Sequence, residues 1–270
     1  MKQVGILYHP RISPARDLAR KLEDFLSAQS ITSWQCSAWD EDKAKSLIPG
    51  SDLVLSIGGD GTILHSARIS APSEGPILGI NLGGLGFITE LDPQNIETNL
   101  SRVIAGEGWI EKRAMLRAET EGNSFLALND VVLRTSTVRL VNIEVKIDGE
   151  ALPNYRADGI IIATATGSTG YAMAAGGPIL HPQSREIILQ PISCHIGFRR
   201  ALVLPAQSTI ECQMTGRGTA MLNIDGQIDI PLRSEQPVKV IPSNDIARFL
   251  RIHPPGHFYN LLWKKLINQK

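Results

Sequence analysis

The 270-residue chain is short of cysteine and of net charge, and each shortage removes a class of function. Its three cysteines, Cys36, Cys194 and Cys212, are odd in number and far apart. They form neither a disulfide framework nor the close pairs of a zinc site, so a reducing compartment, the cytoplasm, is expected. Lysine plus arginine number 27 and so do aspartate plus glutamate, leaving a formal net charge of zero. A nucleic-acid surface needs a basic stripe, so no nucleic acid is expected as a partner and any anion site must be local. No apolar run approaches the roughly 20 residues that span a bilayer. The opening Met1-Lys2-Gln3-Val4-Gly5-Ile6-Leu7 leads straight into a strand, without the pattern of a signal peptide. No membrane partner is expected. The six histidines, His9, His65, His181, His195, His253 and His257, lack paired ligand spacing, and no resident metal site is predicted.

What is present is an ordinary globular balance, 43% hydrophobic and 20% charged, with length enough for two domains. The densest stretch is Ser56-Ile57-Gly58-Gly59-Asp60-Gly61-Thr62, after the apolar Leu53-Val54-Leu55 and before Ile63-Leu64. It reads as strand, glycine turn and helix, the helix running from about 62 to 69. Glycines let a backbone approach a bulky anion, and a helix start adds unpaired N–H groups. Asp60 would repel phosphate, so it points to a different role, either a base or an acceptor for a hydroxyl. Around it, Val4 to Tyr8, Ile31 to Ser37 and Pro76 to Asn81 read as strands. Ser13-Pro14 reads as a helix start with Ser13 as cap, followed by Leu18, Leu22, Phe25 and Leu26 at helical spacing. Asp92-Pro93 opens another helix. Strands alternating with helices imply a parallel sheet with ligands at the carboxyl ends of its strands. Leu82-Gly83-Gly84-Leu85-Gly86-Phe87 is a candidate second glycine loop on that crevice, with Phe87 as core filler or base-stacking ring.

After Gly108 the period changes. Val141, Ile143, Val145 and Ile147 alternate with polar residues and end at Asp148-Gly149; Ile210, Cys212 and Met214 do likewise, and Asp225-Gly226 marks another turn. Short alternating strands between turn pairs predict an antiparallel sandwich. The expected architecture is an α/β, Rossmann-like domain of residues 1–106 plus 251–270 and an all-β, sandwich-like domain of residues 107–250. An amphipathic C-terminal helix from Phe258 to Leu266 returns to the first domain. Within the second domain, Asp158-Gly159 leads through an apolar run to Thr164-Ala165-Thr166-Gly167-Ser168-Thr169-Gly170-Tyr171 and then Gly176-Gly177-Pro178. Thr164, Thr166, Ser168 and Thr169 are neutral donors suited to hydroxyls and phosphates. Tyr171 could stack on a flat ring, and Asn129-Asp130 adds an amide and a carboxylate at a strand edge.

Taken in order, Gly58-Gly59-Asp60-Gly61-Thr62, Leu128-Asn129-Asp130, Asp158-Gly159, Thr164 to Tyr171, Gly176-Gly177-Pro178 and Asp225-Gly226-Gln227 resemble the bacterial NAD kinase family over nearly the whole chain. The first motif alone also fits diacylglycerol and sphingosine kinases and resembles phosphofructokinases; the Thr164–Tyr171 stretch with Asn129-Asp130 narrows it. The resemblance implies phosphoryl transfer from ATP, or another donor such as polyphosphate, to the adenosine 2′-hydroxyl of NAD, with Mg2+ entering on ATP. It implies Asp60 as proton acceptor, Gly61 leaving room for phosphates, and His65 near them. Asn129 and Asp130 would meet ribose hydroxyls or adenine. Arg156 and Asp158 would meet the nicotinamide end or a neighbouring subunit. Thr169 to Ala174, Gly170 and Tyr171 among them, would line the adenine pocket, with Thr166, Ser193 and Gln227 as further contacts. The family pattern is a homodimer or homotetramer. Three positions depart from it: Asp130 for the usual Glu, Ala165 for Pro and Gly170 for Ala. The rival readings are a lipid kinase, which would need a basic amphipathic surface, and a nucleotide sensor without turnover.

Overall fold

Short buried strands and amphipathic helices alternate from the N-terminus: β1 (Gln3–Tyr8), α1 (Ser13–Ala28), β2 (Thr32–Ser37), α2 (Glu41–Leu47), β3 (Leu53–Gly58), α3 (Asp60–Ser70), β4 (Pro76–Asn81) and α4 (Ile96–Ile104). The computed structural model describes residues 1–83, 86–136, 140–216, 219–233 and 235–267. It divides into two units, Met1–Lys112 with Ile246–Lys270, and Arg113–Asp245. In the first, β2, β1, β3 and β4 lie side by side, all parallel. Ala15, Ala19, Leu22 and Leu26 of α1 pack on Val4, Ile6, Leu55 and Ile57 of the sheet. Strand order runs one way from β1 to β2 and the other way from β1 to β3 and β4. That reversal opens a crevice at the strands' carboxyl ends. Gly79 lets α3 lie close, since a Cβ there would stand 2.8 Å from Ile63 Cδ1.

Three helix starts differ from expectation. Ser13 is the first helical residue rather than the cap; Ile12 flanks it in extended conformation, and Pro14 follows where its missing N–H is harmless. Helix α3 begins at Asp60, so the carboxylate lies in the first turn. Asp92 accepts from Gln94 N–H at 2.9 Å and caps a single 3-10 turn, Pro93–Asn95, ahead of α4.

The remaining elements are β5 (Trp109–Thr120), β6 (Asn123–Ala127), β7 (Asp130–Thr135), β8 (Val141–Ile147), β9 (Glu150–Ala151), β10 (Tyr155–Ala157), β11 (Gly159–Ala163), α5 (Tyr171–Ala174), β12 (Ile187–Ile192), β13 (Leu202–Leu204), β14 (Ile210–Thr215), β15 (Ala220–Ile224), β16 (Ile228–Leu232), β17 (Val238–Arg251) and α6 (His257–Ile267). The second unit is an antiparallel sandwich. One sheet runs β13-β12-β11-β7-β15-β16 and the other places β10, β8, β14 and the start of β17 in order. Val131, Leu133, Ile160 and Ile162 of the first face Ile143, Val145, Ile210 and Cys212 of the second in one core. Asp148 and Gly149 both have positive φ, 52° and 89°, as a two-residue hairpin turn requires.

The units part at 112/113 and 245/246, where the sequence reading put 106/107 and 250/251. Both divisions fall inside long strands, β5 and β17; Pro242-Ser243-Asn244-Asp245 has the composition of a turn yet is part of β17. The end of β17 belongs to the first unit, where Arg248 and Phe249 pair in parallel with Pro76 and Ile77. Arg251 closes it. Its guanidinium is buried and donates to Glu111 Oε2 at 2.7 Å, Glu90 Oε2 at 3.1 Å and the Ile88 carbonyl at 3.1 Å. Glu90 Oε1 in turn accepts from Ile252 and His253 N–H, both at 2.8 Å. Segment 86–91 is thereby tied to the end of β17. Removing one partner of a buried ion pair leaves an uncompensated charge. Arg251→Met is therefore expected to lose ~3–5 kcal/mol in urea unfolding; a loss below ~1 kcal/mol would show the network to be peripheral.

Candidate active site

Strand β3 delivers the chain to the crevice through Ser56, Ile57 and Gly58, all buried. Gly58 pairs with Asn81 on β4, and a Cβ on Gly58 would lie 2.3 Å from Thr62 Oγ1. Glycine at this position allows α3 to turn back at once. Gly59 needs no such exemption: its φ is −87° and a Cβ would meet nothing within 4 Å. Gly61 is exposed in the first turn.

Asp60 stands at the N-terminal end of α3, where the helix dipole favours negative charge. Its Oδ2 accepts from Phe87 N–H at 3.0 Å, and Lys265 Nζ of α6 stands 3.9 Å from the same oxygen. The Lys265 ammonium also lies 4.3 Å from the centre of the half-buried Phe87 ring. Gly86 presses on the other oxygen: a Cβ there would come within 1.8 Å of Oδ1. Oδ1 is buried and has no hydrogen-bond partner among the described residues. An acceptor left unpaired in this way costs ~1–3 kcal/mol, and with Gly86 against it this oxygen is closed to solvent. Of the expected second glycine loop, Gly83, Gly86 and Phe87 are seen; Gly84 and Leu85 lie outside the described residues.

His65 is buried one turn further on, its Nδ1 2.8 Å from Arg68 Nη2 and its Nε2 3.6 Å from Glu41. Trp39 stacks on its ring at 4.9 Å. Burial opposes ionisation of Glu41, yet the hydrogen-bonded Lys45, with His65 and Arg68, holds its carboxyl below the ordinary range. His65 thus links α2 to α3. No group of three or more His, Cys, Asp or Glu side chains that could hold a metal occurs among the described residues. The neighbours of Asp60, an N–H and an ammonium, are donors and do not fit a resident cation.

In the second unit the organiser is Asp225, whose side chain does more than begin an Asp-Gly turn. Its carboxylate accepts from the N–H groups of Leu128 at 3.0 Å, Asn129 at 2.7 Å and Asp130 at 3.1 Å. The Asn129 carbonyl accepts from Thr164 N–H at 2.9 Å, and a Cβ on Gly167 would be 2.0 Å from that carbonyl. Thr166 Oγ1 accepts from Arg113 at 3.2 Å, and Thr169 Oγ1 donates to the Thr166 carbonyl at 3.2 Å. Gly170 leads into α5, whose Tyr171 is 41% exposed and keeps ring surface open for stacking. Asn129, Asp130, Thr166, Thr169, Gly170 and Tyr171 are thus gathered, with Ala174 exposed at the end of α5 and Gln227 exposed beside Asp225.

Not every hydroxyl serves as expected. Thr164 Oγ1 donates to the Leu128 carbonyl at 2.5 Å and Ser168 Oγ to the Ala165 carbonyl at 2.7 Å, so both brace the backbone. Arg156, Asp158 and Ser193 are grouped at the opposite end of β11. Asp158 N–H donates to Ile192 O at 3.0 Å, and the exposed Arg156 exchanges backbone bonds with His195 and Ile196. They are ~15 Å along the strand from the Thr164–Tyr171 group.

Residues 4–108 match the family model described as the ATP-NAD kinase N-terminal domain, and residues 128–252 the one described as the ATP-NAD kinase C-terminal domain. An NAD kinase of Dehalococcoides mccartyi (strain CBDB1) is 42% identical over 272 residues, 98% of this chain and 96% of its own. An NAD kinase of Chloroflexus aggregans is 36% identical, covering 98% of this chain and 99% of its own. Among solved structures, an NAD kinase from Archaeoglobus fulgidus in complex with ATP superposes with a TM-score of 0.78 at 26% identity, over 97% of this chain and 98% of that one. Yeast NADH kinase complexed with NADH shares the fold, with a TM-score of 0.85 at 23% identity over 100% and 89%.

Asp130 is the carboxyl most altered by its surroundings. Burial, and then the nearby Asp225 carboxylate, push its pKa up from 3.8 to about 7. Between those values the folded protein holds a proton that the unfolded chain has released. The associated stability is complete below about pH 4 and is lost as pH rises through 7. Asp130→Asn removes that slope. Its stability relative to wild type should improve by ~3 kcal/mol between pH 4 and pH 8. Denaturant midpoints at the two pH values read this directly, and a pH-independent gap would show Asp130 to be ionised throughout.

Proposed function

This chain belongs to the ATP-NAD kinase family, and we propose that Asp60 is the group that takes the proton of the NAD adenosine 2′-hydroxyl. The reaction is phosphoryl transfer from ATP to NAD, giving NADP. The ribose oxygen forms a bond to the γ-phosphorus, the bond from that phosphorus to the β–γ bridging oxygen breaks, ADP leaves, and the hydroxyl proton passes to the carboxylate. Such transfer depends on positioning and charge neutralisation more than on covalent chemistry. The single observation that carries the assignment is the Asp60 side chain, 39% exposed at the start of the helix that follows the glycine turn. Magnesium belongs to the substrate here, arriving on the ATP phosphates and spreading their charge.

For the dinucleotide, the proposed contacts are the gathered groups of the second unit. Tyr171 offers an exposed ring for the adenine. The Asn129 side chain lies near Gly170, with its Nδ2 3.9 Å from where a Cβ would stand, and is suited to ribose or base edges. Gly61 and His65 are assigned to the phosphate side, Phe87 to stacking on a base, and Thr166, Thr169, Ala174 and Gln227 to the adenosine side. Arg156, Asp158 and Ser193 are assigned to the nicotinamide end or to a second subunit of a homodimer or homotetramer. Three free thiols support a cytoplasmic setting.

Asp60→Asn preserves shape and removes the base. Its kcat should fall ~10²–10⁴-fold while KM for NAD stays within about twofold. NADP formed from NAD and MgATP, followed with an NADP-specific dehydrogenase, measures both; unchanged turnover would take Asp60 out of the chemistry. Tyr171→Ala removes a surface used equally in ground and transition states. KM for NAD should rise about tenfold with kcat retained, and a fall in kcat alone would rule out stacking.

A further inference from the structure

Helix α6 carries two adjacent lysines with different surroundings. Lys264 is exposed; Lys265 is half-buried and turned inward. The difference follows from helical spacing: Lys265 is four residues beyond Leu261, the buried anchor of α6, and so shares its face. That face meets the Asp60 carboxylate. Among the described residues Lys265 is the cation within ion-pair distance of Asp60. The other ionisable groups along α3, His65 and Arg68, engage each other and Glu41 instead.

The two carboxylate oxygens of Asp60 are consequently unequal. Oδ2 is held by Phe87 N–H and faces the Lys265 ammonium, which itself rests on the Phe87 ring. Oδ1 has no partner. We propose that Lys265 is a positioning residue for phosphoryl transfer: with the Phe87 N–H it holds the Asp60 carboxylate in one orientation, Oδ1 turned into the protein and the remaining lone pair of Oδ2 left to receive the hydroxyl proton. The proposal rests on Asp60 as the base. At 3.9 Å the ammonium is beyond hydrogen-bond length, so it restrains the carboxylate's orientation by charge without occupying a lone pair. It acts through Asp60 alone, and removing it should leave binding of either substrate intact.

The test is a double-mutant cycle on the full-length protein. Lys265→Met keeps most of the stem and should lower kcat about five- to tenfold, with KM for NAD and for ATP within about twofold. Lys265→Arg, which keeps the charge, should restore kcat to within about threefold of wild type. In an Asp60→Asn background Lys265→Met should have no further effect on residual turnover, because a residue acting through another is not additive with it. A merely structural role for Lys265 would lower turnover equally in both backgrounds and would overturn the proposal. So would a raised KM for ATP at constant kcat, which would make Lys265 a phosphate contact. Should the wild type form no NADP, the activity assignment itself fails; an active wild type, an impaired Asp60→Asn and an unaffected Lys265→Met would refute only the role given to Lys265.

Discussion

A single buried guanidinium holds the first unit's crevice in shape. Arg251 satisfies two carboxylates and the carbonyl of Ile88 at once, and each of those groups comes from a different residue of the chain. Taking an ion out of water costs several kcal/mol, so such a charge persists only where its donors are nearly all matched. The matching has a consequence for the site. Ile88, Thr89 and Glu90 directly follow Gly86 and Phe87, the two residues that meet Asp60. The same Glu90 binds the backbone of Ile252 and His253, from which the chain turns into α6 and reaches Lys265. Both groups beside the Asp60 carboxylate are therefore referred to one ion cluster.

The two halves were legible to different depths. Strand, glycine turn and helix around Gly58–Gly61 could be read because the signals are local: a buried run, residues without side chains, then helical spacing. The hairpins at Asp148-Gly149 and Asp225-Gly226 were legible for the same reason, since both residues of each pair adopt positive φ. What could not be read is what joins residues distant in sequence. Asp225 reaches Leu128, Asn129 and Asp130 across nearly a hundred positions, and nothing in an Asp-Gly pair distinguishes a turn residue from an organiser of three backbone amides. Lys265 looked like part of a capping helix. Thr164 and Ser168 looked like ligand donors, but both hydroxyls are taken by nearby carbonyls, an alternative open to any Ser or Thr in a loop.

Asp60 and Asp130 show how position separates the roles of one side chain. Asp60 stands half-open at a helix start with a cation beside it. Asp130 is buried with a second carboxylate nearby, and its pKa of about 7 lets it hold a proton at neutrality. A protonated carboxyl can donate a hydrogen bond as well as accept one. In the contact proposed for Asp130, that widens what the side chain can offer a ribose or a base edge.

The glycine turn raises a last point about charge. Glycine-rich turns before helices commonly present bare N–H groups to phosphate, but here the first helical residue is itself an anion. A carboxylate at that end competes with phosphate for the same positive dipole, so the turn is unsuited to gripping a phosphate directly at Asp60. It suits a neutral hydroxyl, which needs an acceptor close by and backbone that does not crowd it. The exposed Gly61 gives that room on one side, while Gly86 closes the other against Oδ1. In the role proposed for Asp60, discrimination between alcohol and phosphate at this turn comes from the sign of one residue, and the phosphate charge falls to groups set back from the carboxylate.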